Sequence, residues 1–159
     1  MNLQLPQTPD CFFCGILESG ANHWAMWAED ELTVTLLNGR QFEPGQSMIV
    51  PRRHAPTLLD LRHDELSAVL NAAQRASRVL LDVLSPSGLL LYQNNGVGSG
   101  QEVPHFHLHV VPRSPDSDWG FGPPHLAELE RRTSDPRFDH TIHTKDKQAM
   151  ALRLRESVT

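Results

Sequence analysis

Histidine alternates with apolar residues from His105 to Val111, and this run restricts the possible fold more than any other part of the sequence. Successive side chains of a β-strand point to opposite faces, so a strand here places His105, His107 and His109 on one face, about 6.6 Å apart. Histidine is not among the residues that strands favour. The run therefore predicts a strand with a histidine face for catalysis or for a metal cluster, with a chance pattern as the remaining interpretation.

The rest of the sequence predicts an α+β domain with an antiparallel sheet of about five strands. Besides the histidine strand, short strands are expected at residues 24–27, 32–37, 47–50 and 88–93. Apolar residues recur every three or four positions after Asp60, which predicts one long helix that stops before Pro86. Two shorter helical segments are expected near residues 124–132 and 145–157.

A glycine-rich loop precedes the histidine strand, with Gly96, Gly98 and Gly100 at alternate positions. Glycine tolerates the positive φ of tight turns, and consecutive N–H groups in such a loop can form a nest for an anion. Neutral imidazole can attack phosphorus, and a second, protonated histidine can donate to the leaving oxygen. The combination predicts imidazole held beside a phosphate group.

Composition and charge restrict the partners of the chain. Its 159 residues, 39% hydrophobic and 21% charged, fit one globular domain with its own core, which we expect to be soluble and cytoplasmic. No apolar run approaches the roughly 20 residues of a membrane helix, and the first residues lack the pattern of a signal peptide. The net charge of −5 argues against nucleic acid as a partner but allows a single nucleotide, which local N–H groups can hold.

The chain has two cysteines, Cys11 and Cys14, in a Cys-x-x-Cys arrangement. In a cytosolic protein this spacing is more typical of a metal or redox site than of a structural disulfide. The alternative is a pair of reduced cysteines that bind nothing.

Four blocks of the sequence together resemble the histidine-triad (HIT) superfamily. The blocks are residues 11–16, 44–54, 94–104 and 105–111, and the last of them is similar to the signature of the family. The resemblance implies a HIT-like fold over residues 11–113, an α+β fold with one long helix. A flexible arm of residues 1–10 would precede it. An extension of residues 114–159, helical near its end, would pack on the domain or on a dimer partner.

The resemblance implies one role for each matched residue of a nucleotide site. His107 would attack the α-phosphorus and carry a covalent nucleotidyl group, and His109 would contact the α-phosphate or the bridging oxygen. Asn38 would contact the ribose. The remaining substrate-binding residues would be Asn94, Gly100 and Gln101.

The resemblance also implies a structural zinc ion. Cys11, Cys14, His54 and His105 match the positions that bind zinc in bacterial relatives with the same cysteine pair. A closed set of two cysteines and two histidines is typical of a structural site rather than a catalytic one. Such a site would tie the start of the chain to the histidine strand.

Some residues of the chain resemble one branch of the family, and two others depart from the family pattern. Asn38 and the Val-Pro-Arg sequence that ends at Arg113 resemble the fragile-histidine-triad, or dinucleoside polyphosphate, branch. Gln46 stands where histidine is usual and cannot become charged. Glu102 stands where a small hydroxyl residue is common, and a carboxylate there would repel a polyphosphate.

The implied activity is hydrolysis of dinucleoside polyphosphates at the α-phosphorus, with release of a nucleoside monophosphate. The alternatives are a phosphorylase or nucleotidyl transferase, a nucleoside phosphoramidase, a non-catalytic nucleotide-binding protein, and a zinc hydrolase whose three triad histidines are ligands. The resemblance also implies a homodimer. Trp119 and Phe121 would stack on the nucleotide base or pack the C-terminal segment on the partner subunit.

Overall fold

A computed structural model of the chain describes residues 3–20, 23–39, 41, 43–114 and 144–158. The predictions for Trp119 and Phe121, and the helix predicted at 124–132, lie outside these residues. Within the described ranges, no helix is long and apolar enough to cross a membrane.

Five strands form one antiparallel sheet in the order β1-β2-β3-β5-β4, which confirms the predicted α+β architecture. The strands are β1 (Met26–Glu29), β2 (Thr33–Leu37), β3 (Ser47–Pro51), β4 (Gly88–Tyr92) and β5 (Leu108–Arg113). Because β5 inserts between β3 and β4, the histidine strand lies inside the sheet rather than at its edge.

The histidine strand is shorter than the sequence pattern predicts. β5 begins at Leu108, so of the triad only His109 lies in the paired strand, and the prediction of a strand from His105 is wrong. On one side β4 ends at Tyr92, which faces His109. On the other side β3 continues to Pro51, but its pairing with β5 stops where Leu108 faces Ile49, and the Phe106 N–H donates to the carbonyl of Ala55 at 2.6 Å. The chain before Leu108 therefore bonds to the segment after β3 and not to the sheet ladder.

The alternation of core and histidine side chains continues ahead of the paired strand. Phe106, Leu108 and Val110 all pack on the same apolar cluster. On the opposite side, the imidazole rings of His107 and His109 contact each other, with centroids 4.9 Å apart. The sequence pattern thus predicts the direction of these side chains correctly even where the strand itself is absent.

The described residues form three α-helices, α1 (Phe12–Ser19), α2 (His63–Leu84) and α3 (Thr144–Glu156). The last two confirm the predicted long helix and the predicted segment near 145–157. α2 begins where the Glu65 carboxylate accepts a hydrogen bond from the Arg62 N–H at 2.8 Å. It ends at Leu84, because the next residue, Ser85, has a left-handed backbone (φ 49°) and is followed by a proline.

The two faces of the sheet carry different helices. Helices α2 and α3 pack on one face, where Ala151 and Leu154 of α3 are buried with Leu80 of α2. Helix α1 packs on the other face through Phe13 and Ile16. His109 points to the face of α1, because residues of a strand alternate and its neighbours in sequence face α2. The histidine side of the sheet is therefore the side that α1 covers.

Candidate active site and metal centre

Four of the predicted metal ligands meet at one end of α1. Cys11, Cys14, His54 and His105 each offer a ligand atom, and these atoms all lie within 4.8 Å of one another. Cys11 Sγ is 3.3 Å from His105 Nδ1, and Cys14 Sγ is 3.4 Å from His54 Nδ1. In the part of the chain that the structure describes, these side chains can hold a metal ion.

Three separate elements bring these ligands together. Cys11 is the N-cap of α1, where its sulfur accepts from the Cys14 N–H at 3.4 Å, and Cys14 lies in the first helical turn. His54 follows the end of β3, and His105 precedes β5. The site therefore connects the N-terminal helix to two neighbouring strands of the sheet.

A hydrogen bond from one ring nitrogen of His105 leaves the other nitrogen with the lone pair that a metal needs. Its Nε2 lies 2.9 Å from the carbonyl oxygen of Pro51, and a carbonyl can only accept, so Nε2 carries the proton. The lone pair is then on Nδ1, which faces the two sulfurs. Burial of this fully enclosed ring lowers the pKa of His105 to about 4, so the ring is neutral at physiological pH. A neutral imidazole fixed by a backbone carbonyl is typical of a metal ligand.

The sulfur of Cys14, a candidate ligand, is protonated when no metal is present. Burial raises the pKa of the Cys14 thiol to about 11, and the neighbouring Cys11 adds to this effect. A divalent cation reverses this preference because it binds the thiolate form. Two sulfurs and two imidazoles are also the donor set of a structural zinc site. The four residues therefore fit the metal that the sequence implies.

His107 is held with one ring nitrogen bonded and the other available. Its Nδ1 lies 2.8 Å from the carbonyl oxygen of His105, so Nδ1 carries the proton and Nε2 has the lone pair. Burial lowers the pKa of His107, while the carboxylate of Glu102 acts in the opposite direction. The neutral ring, with Nε2 as its nucleophilic atom, is the form needed to attack phosphorus.

His109 lies beside His107 and is fixed by an aromatic partner. The ring of Tyr92 stacks on it with centroids 4.3 Å apart and an angle of 13° between the planes. Tyr92 and His109 face each other across β4 and β5. Tyr92 could not be assigned to the site from the sequence, because only the register of the sheet shows that these two residues are opposite.

The predicted phosphate loop is held by the side chain of Gln101. The Gly96 N–H donates to its oxygen at 2.6 Å, and its nitrogen donates to the carbonyls of Pro56 and Val103 at 2.7 and 2.9 Å. The Asn94 amide donates to the carbonyl of Gly100 at 3.3 Å, so it braces the same loop.

The prediction of an open nest of N–H groups in this loop is wrong for the conformation described. Residues 97–99 form a short 3₁₀ turn, in which the N–H groups of Ser99 and Gly100 bond to carbonyls within the loop. The Val97 N–H donates to the carbonyl of Gln4, in the N-terminal arm, at 2.8 Å. The glycines thus allow a tight turn in which several backbone N–H groups bond to carbonyls of the same loop.

Asn38, the predicted ribose contact, lies at the turn between β2 and β3. Its N–H donates to the carbonyl of Gln46 at 2.8 Å, and the Gln46 side chain is fully buried. Lys147 of α3 donates to the carbonyl of Gly39 at 2.6 Å. The C-terminal helix therefore fixes the turn that carries Asn38.

An ion pair that the sequence analysis did not find supports the segment of His54. The Arg53 guanidinium donates to both carboxylate oxygens of Glu65 at 2.8 and 2.7 Å, and to the carbonyl of Asp60 at 2.7 Å. Glu65 is almost completely buried. The pair joins the chain beside His54, a candidate metal ligand, to the start of α2.

Comparisons with known proteins agree with this geometry. The family described as HIT domain matches residues 22–116. An uncharacterized HIT-like protein of Mycoplasma genitalium is 33% identical over 115 residues, which cover 72% of this chain and 80% of that protein. The asymmetrical bis(5'-nucleosyl)-tetraphosphatase of Schizosaccharomyces pombe is 31% identical over 101 residues, which cover 64% of this chain and 55% of that protein.

A solved structure with a bound metal is also similar. The crystal structure of a Zn-bound histidine triad family protein from Mycobacterium smegmatis aligns with a TM-score of 0.71 and 26% sequence identity. The alignment covers 94% of this chain and 93% of that one. The likeness therefore extends over nearly the whole of both chains.

Proposed function

The chain belongs to the HIT domain family, and we propose that it hydrolyses dinucleoside polyphosphates or related nucleotide conjugates at the α-phosphorus. The observation that carries the proposal is the hydrogen bond from His107 Nδ1 to the carbonyl of His105. It leaves Nε2 as a nucleophile beside the second histidine, His109. A family member named as a tetraphosphatase supports the substrate class.

The proposed reaction has two steps. The Nε2 lone pair of His107 attacks the α-phosphorus, and the bond from this phosphorus to the bridging oxygen breaks. The leaving phosphate is protonated by His109 or departs as an anion. Water then attacks the phosphorus and gives its proton to the imidazole of His109 or to solvent, the phosphorus–nitrogen bond breaks, and a nucleoside monophosphate leaves with His107 restored.

The other predicted substrate residues contribute in different ways. His109 lies next to His107 and is near enough to contact the α-phosphate or the bridging oxygen. Gln101 and Asn94 act through the shape of the loop that contains Gly100, since their amides bond to its backbone. Asn38 would contact the ribose from the turn between β2 and β3.

The metal in this account is zinc with a structural role. Cys11, Cys14, His54 and His105 would hold it, and it would fix α1 to the sheet. No step of the reaction passes through the metal, because the nucleophile and its neighbour are His107 and His109.

Turnover assays test the proposed reaction. The protein is incubated with diadenosine polyphosphates and with adenosine phosphoramidate, and adenosine monophosphate is measured. We expect release of the monophosphate by the wild-type protein and none by His107→Ala, with the same circular dichroism spectrum for both. Full activity of His107→Ala would refute the nucleophile. Tight binding without turnover across these substrates would instead favour a nucleotide-binding protein.

The same assay separates hydrolysis from group transfer. Inorganic phosphate is added, and the products are compared with those in its absence. A hydrolase gives the monophosphate in both cases. A phosphorylase gives the nucleoside diphosphate when phosphate is present, because phosphate rather than water attacks the intermediate.

A further inference from the structure

Phe13 contacts two histidines that have different roles. Its ring centroid is 4.9 Å from that of His107 and 5.7 Å from that of His105. Both distances are typical of packed aromatic rings. The Phe13 side chain is only 2% exposed. The ring therefore lies in fixed contact with both the metal-site histidine and the proposed nucleophile.

The position of Phe13 is fixed from both sides along the chain. It lies in the first turn of α1, between Cys11 and Cys14, whose sulfurs face His105. Its side chain packs with Ile16 in the core on this face of the sheet. The aromatic ring therefore has little freedom to move away from the histidines.

His107 needs support beyond its hydrogen bond. The bond from Nδ1 to the carbonyl of His105 fixes one atom of the ring, but the ring can still tilt about it. Two ring contacts limit this tilt, those with Phe13 (47° between planes) and His109 (77°). Only Phe13 is supplied from outside the histidine segment.

We propose that Phe13 is a positioning residue, which holds the His107 imidazole so that Nε2 is directed at the phosphorus. The inference rests on the proposed function, because it takes His107 as the nucleophile. An in-line attack tolerates little error, and a displacement of about 1 Å can reduce a rate roughly a hundredfold. The aromatic ring therefore matters for the rate of attack and not only for packing.

Phe13→Leu tests this proposal, because leucine keeps an apolar side chain but has no ring. Two controls lie in the same helix. Phe12→Leu removes a ring that is 62% exposed and lies edge-on to Phe13, with centroids 5.4 Å apart, and that has no ring contact with a histidine among the described residues. Ile16→Ala removes packing from the same core. The measured quantity is the single-turnover rate of nucleotidyl adduct formation on His107 at saturating diadenosine polyphosphate. We expect Phe13→Leu to slow it roughly tenfold to a hundredfold, and both controls to match the wild type.

A second measurement needs no substrate. ¹³C relaxation of the His107 ring in the ligand-free protein reports how far the imidazole moves about its hydrogen bond. We expect a rigid ring in the wild type and in Ile16→Ala, and a more mobile ring in Phe13→Leu. If Phe13→Leu is too unstable, Phe13→Met is used in its place.

The outcomes separate the two proposals. Adduct formation by Phe13→Leu at the wild-type rate, or an equal loss in Ile16→Ala, would overturn the role of Phe13. If the wild-type protein forms no adduct, the proposed function fails instead. The ¹³C relaxation then still decides whether Phe13 orders the imidazole, and unchanged relaxation in Phe13→Leu would overturn the inference.

Discussion

The amide of Gln101 is enclosed by three backbone groups and is only 4% exposed. It accepts from Gly96, and it donates to the carbonyls of Pro56 and Val103. These bonds join the glycine-rich loop to the segments on both sides of it. We therefore expect Gln101 to affect substrate binding through the conformation of the loop, while a direct contact with substrate stays a prediction.

Gln101→Glu tests this role with little change of shape. The new carboxylate can still accept from Gly96, but its other oxygen would face two carbonyls that need a donor. We expect the free energy of unfolding to fall by about 1–3 kcal/mol, together with a higher KM. Gln7→Glu, at an exposed position, adds the same charge and should change neither. Urea unfolding that is unchanged in Gln101→Glu would show that the loop does not depend on the amide.

Glu65 is a second residue whose contribution to stability depends on hydrogen bonds from other segments, here from Arg53 and from the Arg62 N–H. The hydrogen bonds from Arg53 hold the pKa of this buried carboxyl below its usual range, and the Arg62 N–H acts in the same direction. A lowered pKa in the folded state means that the unfolded chain binds the proton more readily. The stabilisation is therefore present above the ordinary pKa of about 4.3 and is lost as pH falls through the lowered value.

Glu65→Gln removes this charge while preserving the size of the side chain. We expect a loss of about 1–3 kcal/mol near neutral pH, limited by the solvent exposure of Arg53. The difference from the wild type should shrink below about pH 4, where the wild type loses the same contribution. Asp64→Asn, at an exposed neighbouring position, should have a smaller effect. A difference that is constant with pH would contradict the assignment.

Among the helices and strands, the sequence predicts those whose formation depends mainly on residues close together in the chain. The spacing of apolar residues predicts α2, because a helix repeats along its own sequence. The start of β5 cannot be predicted in the same way, since it depends on where β4 ends and on the hydrogen bond of Phe106 to Ala55 beyond β3.

The stacking of Tyr92 on His109 depends on the register between β4 and β5. The ion pair of Arg53 and Glu65 depends on the path that the chain takes between β3 and α2. The spacing of Cys11 and Cys14 predicts a metal site, whereas His54 and His105 were assigned to it from the resemblance to the family.

A metal at the candidate centre would act on one element in particular. α1 is short, and its N-cap and first turn carry two of the four candidate ligands, so the metal would fix this helix to the segments before β5 and after β3. Binding energy at such a site adds to folding energy, because the unfolded chain does not hold the ligands together.

Metal analysis tests this role. We expect one zinc per chain in freshly purified protein, and a loss of about 3 kcal/mol in the free energy of unfolding when a chelator removes metal held at a hundred times its Kd. His54→Asn should lose the zinc. His63→Asn, another exposed histidine outside the site, should retain it. Protein that contains no zinc and is indifferent to chelator would exclude a metal-bound centre.

In the molecule as a whole, one face of the sheet forms the larger core and the other carries the candidate site residues. One face buries α2 and α3 and makes the larger core. The other carries α1, the metal residues and the histidines. The N-terminal arm lies against the glycine-rich loop through the bond from Val97 to Gln4, and α3 holds the turn beside Asn38 through Lys147. Both ends of the chain therefore reach the proposed nucleotide site. A homodimer and a cytoplasmic location stay predictions.

Trapping the covalent intermediate tests the central claim most directly. The wild-type protein is mixed with a diadenosine polyphosphate and quenched in alkali within one turnover, and the modified peptide is mapped by mass spectrometry. We expect one adenylyl group, attached to His107 and absent from His107→Ala. An adenylyl group on His105 or His109, or turnover by the wild type with no covalent adduct at any time point, would contradict the account.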